Sequence, residues 1–534
     1  MENNKSRMSA QTVFTLAVTA LLCLAVHGYR FANSMFSHDS LLVIVQEDAA
    51  WQIALGRFFQ PFIVFLRGDL CSPWLLCMLQ VGWFLVSVLL LVDILQIRSR
   101  SAMVAVAGVV VSSEAFININ ASYLPWSDMY SFALFAAVFG VWLIEKKKIS
   151  CTLAGIAFLV VSLSTYQAFI SAAMAIMLIL GILRLCDPEV ELKNIVKHFL
   201  YYAVVLLISA GIYYMAWQVI RCVLGIWEAD TYNGMASVGR FGAGELFFSV
   251  FTAYKNVFFY FADPDVMSNI VFRGMELAAI WKCALVLINV FVVTVILAGI
   301  FFLCHRQSGD QPSFDRQLAA RYGLLTCCLL LFPLACNFVC VMSKGMEHTL
   351  MMFGPTMLYV FGIVVAGKVW GSADVGQLPK EKNWQLEKLP MVKIMAVLLG
   401  VIIWVHFIYA NQIYFKKSQQ EKAAYSLLTR VVADVEEVPG YEPGITPVAI
   451  AGSFESSPYL TELPGFEAVK PYSMGKTSLT YPGTDYAMIN YYLGINMNLT
   501  RVDSSVSAVR QMPAYPGAGS IDLVDGVVVV KISD

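Results

Sequence analysis

The sequence predicts a mainly α-helical bundle that crosses a membrane many times and ends in a small extracytoplasmic α/β domain. Three observations predict it. Of 534 residues, 58% are hydrophobic and only 14% are charged, with a mean hydropathy of +0.68. A soluble domain is about 25% charged, so this chain lacks the polar surface that water requires. The apolar residues gather into runs of about 20, the length of helix that spans a bilayer. After residue 411 these runs stop, and Pro439-Gly440, Pro443-Gly444, Pro464-Gly465 and Pro482-Gly483 punctuate the chain as turns.

Eleven runs qualify as spans: 11–29, 72–96, 102–121, 124–144, 150–165, 167–184, 199–220, 280–304, 321–342, 349–369 and 392–411. The first follows Lys5 and Arg7 as a signal peptide would, but no small-residue cleavage site follows it, so it reads as a helix. The fifth and sixth are parted only by Ser164 to Gln167. Lys and Arg recur in alternate loops: Arg98/Arg100, Lys146 to Lys148, Arg184 to Lys197, Arg306/Arg316 and Lys368 to Lys393. Short cytoplasmic loops carry that excess. The N-terminus is therefore expected inside, and segments 30–71, 221–279 and everything after Asn411 outside.

Two domains follow, 1–411 as the membrane bundle and 412–534 as the tail. In the tail, Lys417 to Val435 reads as an amphipathic helix, and Pro447 to Ala451 and Gly526 to Val530 as buried strands. Its length of about 120 residues suffices for one core. Between Glu245 and Phe261, Phe247, Phe248, Phe251, Tyr254, Phe258 and Phe261 recur at helical spacing, as in an amphipathic helix lying in the outer interface.

Composition also excludes classes of function. A net charge of -1 argues against nucleic acid as a partner, because phosphate backbones require a basic excess. Twelve cysteines, none beyond Cys340, sit mostly in apolar runs as small hydrophobes. Six histidines lack ligand spacing, so no metal site is expected. No Gly-rich phosphate loop with its Lys occurs, so no nucleotide site and no cofactor are expected. No inverted repeat of the kind that builds secondary transporters is visible.

In so apolar a bundle the polar residues near the outer face are informative. The first outer segment places Asp39, Glu47 and Asp48 within some thirty residues of Arg57 and Arg67. An arginine presents a planar fork to phosphate oxygens, and a carboxylate can take a proton from a hydroxyl. The plainer alternative is an exposed loop, polar for that reason, with arginines at lipid headgroups. Glu114 lies about 12 residues into the third span, roughly 18 Å, and requires a partner there, as does Asp128 beside Trp126. Each is either a structural partner or a site residue. Tyr166 and Gln167 read as interface residues or as sugar contacts. Asp93 is expected to pair with Arg98 and Arg100, and Lys344, Glu347 and His348 to form a solvated outer loop.

The string His38-Asp39-Ser40-Leu41, followed by Trp51-Gln52-Ile53-Ala54-Leu55-Gly56-Arg57-Phe58, Arg67-Gly68 and Pro73-Trp74, closely resembles the N-terminal signature of the O-antigen type II glucosyltransferase family. Asn120-Ala121-Ser122-Tyr123 with Asp128, Tyr166-Gln167 and Asn411-Gln412 are further matching pieces. The resemblance runs along the whole chain and is tightest from about 36 to 170. Where many members carry a pair of acidic residues, this chain has His38-Asp39.

The resemblance implies a polytopic glycosyltransferase of the GT-C type in the bacterial cytoplasmic membrane. It would move a sugar, glucose by the family's name, from a polyprenyl-phosphate carrier to a cell-surface glycan such as O-antigen. Transfer would occur on the extracytoplasmic face, by a single inverting displacement. Asp39 matches the catalytic acid of the larger class, and acts here as base, with Asp48 and Glu47 in reserve. Arg57 or Arg67 would hold the donor phosphate, and His38, Glu114, Asp128, Tyr166 and Gln167 would contact substrate. Membrane lipids, an upstream carrier-charging transferase and a flippase complete the expected partners. A lipid-linked sugar flippase would instead need polar residues at mid-membrane depth and repeated halves. A surface-polysaccharide polymerase would use a large outer loop in place of a C-terminal domain.

Overall fold

The computed structural model describes residues 2–33, 35–44, 49–227, 242–262, 279–305, 316–370, 390–462, 464–465, 469, 475–480, 483–502 and 507–534. Helix α1 (Glu2–Ala32) leads into three short helices, α2 (His38–Leu42), α3 (Ala49–Ala54) and α4 (Gln60–Arg67). The bundle continues with α5 (Pro73–Ile94), α6 (Arg100–Val111), α7 (Glu114–Ser122), α8 (Ser127–Glu145), α9 (Ile149–Thr165), α10 (Ile170–Leu185) and α11 (Leu192–Val223). Then come α12 (Ala243–Ala262), α13 (Ala279–His305), α14 (Arg316–Cys336), α15 (Phe338–Met342), α16 (Met357–Trp370) and α17 (Met391–Glu436). The tail adds β1 (Pro447–Ala451), α18 (Thr484–Ala487), β2 (Asn498–Thr500), α19 (Ser507–Gln511), β3 (Ile521–Val524) and β4 (Val527–Lys531).

Among the described residues, 9 helical segments are long and apolar enough to cross a membrane, and the chain is a multi-pass membrane protein. The expected segments 150–165 and 349–369 correspond to the shorter apolar helices Ile149–Thr165 and Gly354–Trp370. The expected span 102–121 is interrupted at Ser112-Ser113, so α6 and α7 are separate helices within one buried segment. Serine hydroxyls compete with helical backbone bonds, and the interruption makes Glu114 the first residue of a new helix. Helix α8 packs on α5 and α9. The two helices come close at two glycines, where a Cβ on Gly155 would lie 2.8 Å from the Gly140 carbonyl oxygen. Small residues of this kind let membrane helices close up.

The C-terminal domain departs from expectation at its start. The last expected span and the expected tail helix are one element, α17, of 46 residues. At 1.5 Å per residue it extends about 69 Å, more than twice the thickness of a bilayer's hydrocarbon core. A helix of that length cannot lie wholly within the hydrocarbon core. Beyond residue 411, Leu427, Leu428, Val431, Val432 and Val435 enter the tail core with Val448, Ile450, Val528 and Val530. The 4-stranded sheet has the order β2-β1-β4-β3, with β1 parallel to β2 and β4 and β3 antiparallel to β4. Asp525 (φ 49) and Gly526 (φ 81) turn the β3–β4 hairpin, the Asp-Gly pair that a two-residue primed turn favours. Strands β2 and β3 were not expected: one is three residues long and the other has an exposed centre, so neither shows a hydrophobic run.

Helix α12 confirms the amphipathic expectation. Phe247, Phe248, Phe251 and Phe258 are exposed, whereas Ser249, Ala253, Asn256 and Tyr260 face inward. Helix α4 has a similar face, with Phe62, Phe65 and Leu66 exposed. Asp93 differs from expectation: its Oδ2 accepts a hydrogen bond from Trp142 Nε1 at 2.7 Å.

Candidate active site

Residues 35–44 hold the first candidate group. Ser37 caps α2: its Oγ accepts from the Ser40 amide at 3.3 Å, and the Ser37 amide donates to Ser40 Oγ at 3.4 Å. Such a capping box fixes where a helix starts. Ser37 Oγ also donates to the Ser122 carbonyl at 2.6 Å, tying α2 to the end of α7. The tail domain holds the other side, because Ser478 Oγ donates to the Phe36 carbonyl at 2.8 Å and the Tyr492 ring packs on Phe36 with centroids 3.7 Å apart.

Asp39 sits in the first turn of this clamped helix. His38 Nε2 lies 2.9 Å from Asp39 Oδ1, and the Asp39 side chain keeps 21% exposure against 7% for His38. The His38 ring meets Tyr123 edge-on at 6.2 Å. A carboxylate with one oxygen oriented by a neighbour and an edge open is arranged to accept a proton from outside. Glu47 and Asp48, the reserve carboxylates, lie outside the described residues.

Arg57 follows a turn at Gly56, whose φ of 77° is a conformation that favours glycine. A Cβ there would meet Tyr213 Oη at 2.2 Å, so two constraints select glycine. Gln167 Nε2 donates to the Leu55 carbonyl and to Tyr213 Oη, both at 2.9 Å, and Gln60 Nε2 donates to the Thr165 carbonyl at 2.7 Å. The Arg57 guanidinium lies 4.9 Å from the centroid of Tyr166, a cation–π contact. Tyr166 in turn stacks on Tyr130 with centroids 4.1 Å apart. Both Tyr166 and Gln167 are buried and brace the turn that presents Arg57. Arg57 itself is 8% exposed and, among the described residues, its Nε has no hydrogen-bond partner. Among the described residues no carboxylate pairs with it.

Arg67 is placed differently. Its Nε lies 3.0 Å from Asp128 Oδ2, with side-chain exposures of 3% and 1%, and its Nη2 donates to the Pro125 carbonyl at 3.0 Å. The two residues expected to meet substrate separately thus engage each other, next to the turn Leu124–Trp126 on which α2 packs. Glu114 also finds a structural partner, with His406 Nε2 3.3 Å from its Oε1. Glu347, expected to be solvated, is 3% exposed. Its Oε1 accepts from Asn256 Nδ2 at 2.5 Å and from Asn337 Nδ2 at 3.2 Å, and burial pushes its carboxyl up to about 7.

Residues 28–366, well over half of the chain, match the family model described as glucosyl transferase GtrII. The chain belongs to the GtrII glucosyl transferase family. The match takes in α2, both arginines, Asp128, Tyr166 and Gln167, and it ends before α17 and the tail domain, so it is shorter than the resemblance read from the sequence. No curated protein and no solved structure matches the chain. This GtrII family member is a membrane protein of a glucosyltransferase family, as its signature residues lead one to expect.

Sequence reasoning missed a buried cluster around α2. Arg30 is fully buried and donates to the carbonyls of Asn120, Asn33 and Met35 at 2.9, 3.1 and 3.0 Å. His27 Nδ1 lies 2.8 Å from Tyr414 Oη. Lys416 and Lys417 are buried as well. Lys416-Lys417 follows the last apolar run on the side expected to be poor in lysine, and that inconsistency was the available signal.

Proposed function

We propose that this GtrII family member transfers glucose from a polyprenyl-phosphate carrier to a cell-surface glycan such as O-antigen, on the extracytoplasmic side of the bacterial cytoplasmic membrane. The observation that carries the reading is the Asp39 carboxylate, oriented by His38 at 2.9 Å and open at one edge, in a segment held by both bundle and tail domain. Asp39 takes the proton of the acceptor hydroxyl while the acceptor oxygen attacks the anomeric carbon. The bond from that carbon to the phosphate oxygen breaks with its electron pair, leaving polyprenyl phosphate, and the configuration at carbon inverts. The charge that develops on the phosphate requires a cation. Arg57, without a carboxylate partner among the described residues, supplies it; Arg67 is engaged with Asp128 and maintains the shape of the site.

A lipid carrier accounts for the exposed apolar faces of α4 and α12, as interfacial helices carry. In this reading the tail domain faces away from the cytoplasm, and a carrier-charging transferase and a flippase deliver the donor. The test is transfer of radiolabelled glucose by the purified protein. Product is expected with polyprenyl-phosphate glucose and a surface glycan. Carrier-independent transfer from a nucleotide sugar would contradict the proposal.

A further inference from the structure

Lys417 lies on α17 six residues beyond Asn411, about 9 Å along the helix axis, which is the level of a lipid headgroup. Its side chain is 0% exposed and, among the described residues, its Nζ has no hydrogen-bond partner. The neighbouring Lys416 is satisfied: its Nζ donates to the Val469 carbonyl at 2.7 Å and pairs with Glu462. Adjacent lysines on one helix thus have opposite situations, one paired and the other not.

An unpaired buried ammonium is costly in a protein. The charged groups in electrostatic reach of Lys417 are Arg30, Asp39, Lys416 and Glu421, and burial, ahead of these charges, pushes its ammonium down to about 7. Arg30 approaches from α1 with three of its N–H groups already donated to carbonyls. Asp39 approaches from α2, where its carboxylate is already beside His38. Glu421 is one further turn along α17, and burial pushes its carboxyl up to about 7. Among the described residues, the buried cations Arg30, Lys416 and Lys417 thus lie among three carboxyl groups: Asp39 beside His38, Glu462 paired with Lys416, and Glu421. None of these carboxyl groups hydrogen-bonds to the Lys417 Nζ. Phe36 and Leu41, on either side of Asp39, share a core with Ala424 and Leu427 of α17. The Asp39 side chain stays partly exposed beside that core.

We propose that Lys417 binds the phosphate of the polyprenyl-phosphate carrier, within electrostatic reach of Asp39. The inference rests on the donor reading given above. A bound phosphate supplies the acceptor that the Lys417 ammonium lacks among the described residues, together with a negative charge. Charge-assisted bonds of this kind are among the strong ones. As the bond between sugar and phosphate breaks, its electron pair passes to the phosphate oxygen, and the phosphate goes from a singly charged diester to a monoester with capacity for a second charge. Lys417 therefore holds the departing polyprenyl phosphate more strongly than it holds the donor, as an interaction that lowers the barrier must.

The experiment measures binding of polyprenyl phosphate, and of the uncharged polyprenol of equal length, to the purified full-length protein in lipid nanodiscs. The wild-type protein is expected to prefer the phosphate. Lys417→Met and Lys417→Gln are expected to weaken phosphate binding at least tenfold, with polyprenol binding unchanged, whereas Lys417→Arg keeps most of the preference. A buried unpaired charge carries a desolvation cost that an apolar side chain lacks, so Lys417→Met is expected to melt no lower than wild type. A wild-type preference that survives intact in Lys417→Met and Lys417→Gln would overturn the assignment of Lys417 alone. A wild-type protein with no preference for the phosphate would overturn the donor reading itself.

Discussion

Arg67 Nε sits 3.0 Å from Asp128 Oδ2, and both side chains are almost wholly buried. Removing one partner from such a pair leaves a charge without compensation, which costs about 3–5 kcal/mol. Arg67→Met and Asp128→Leu are each expected to lower the melting temperature of the purified protein. The double variant should recover most of the loss, because no charge is then stranded. If the double variant melts as low as the sum of the single effects, the pair is not a coupled unit.

Arg57 differs because the described residues give it an aromatic neighbour and no carboxylate. Arg57→Gln should reduce kcat/KM for the lipid-linked donor by roughly 10- to 100-fold, the loss of one to two charge-assisted bonds. Arg57→Lys should recover only part, since an ammonium lacks the planar fork. Initial rates against donor concentration check both, and acceptor KM should stay unchanged.

The membrane bundle was legible because bilayer thickness imposes a length on every apolar run. The tail helix was not separable from the last span, because nothing between Asn411 and Lys417 breaks a helix. Strands β2 and β3 escaped notice because the first is short and exposed at both ends and the second turns its middle residues to solvent. At the site, Asp39 and Arg57 stood out as polar residues in an apolar chain, and the geometry keeps both as candidates. Whether Arg67 and Asp128 met substrate or each other depended on a contact between segments 61 residues apart. Arg30 and Lys417 were hidden because a basic residue at the end of an apolar run reads first as a headgroup anchor. Only burial reveals them as something else.

Glu347 joins α12 to α14 and α15 through Asn256 and Asn337. Burial holds its carboxyl at about 7, above the ordinary 4.5, so the folded protein binds this proton more tightly than the unfolded chain. The stabilisation is fully present below about 4.5 and is lost as pH rises through about 7. The melting temperature is expected to fall between pH 5 and pH 8 by more in the wild type than in Glu347→Gln. Gln keeps an oxygen for the two asparagines and has no proton to lose. Parallel pH curves for the two proteins would remove Glu347 as the titrating group.

The central claim is that Asp39 is the base. Asp39→Asn keeps the size of the side chain and an oxygen for His38 while removing the basic charge. General-base catalysis contributes typically about 10²–10⁴-fold. The decisive measurement is single-turnover transfer of glucose from polyprenyl-phosphate glucose by the Asp39→Asn protein, at matched amounts of folded enzyme and saturating donor. A fall of that order with donor binding intact is the result predicted; near wild-type turnover would contradict it and direct the search to Asp48 and Glu47.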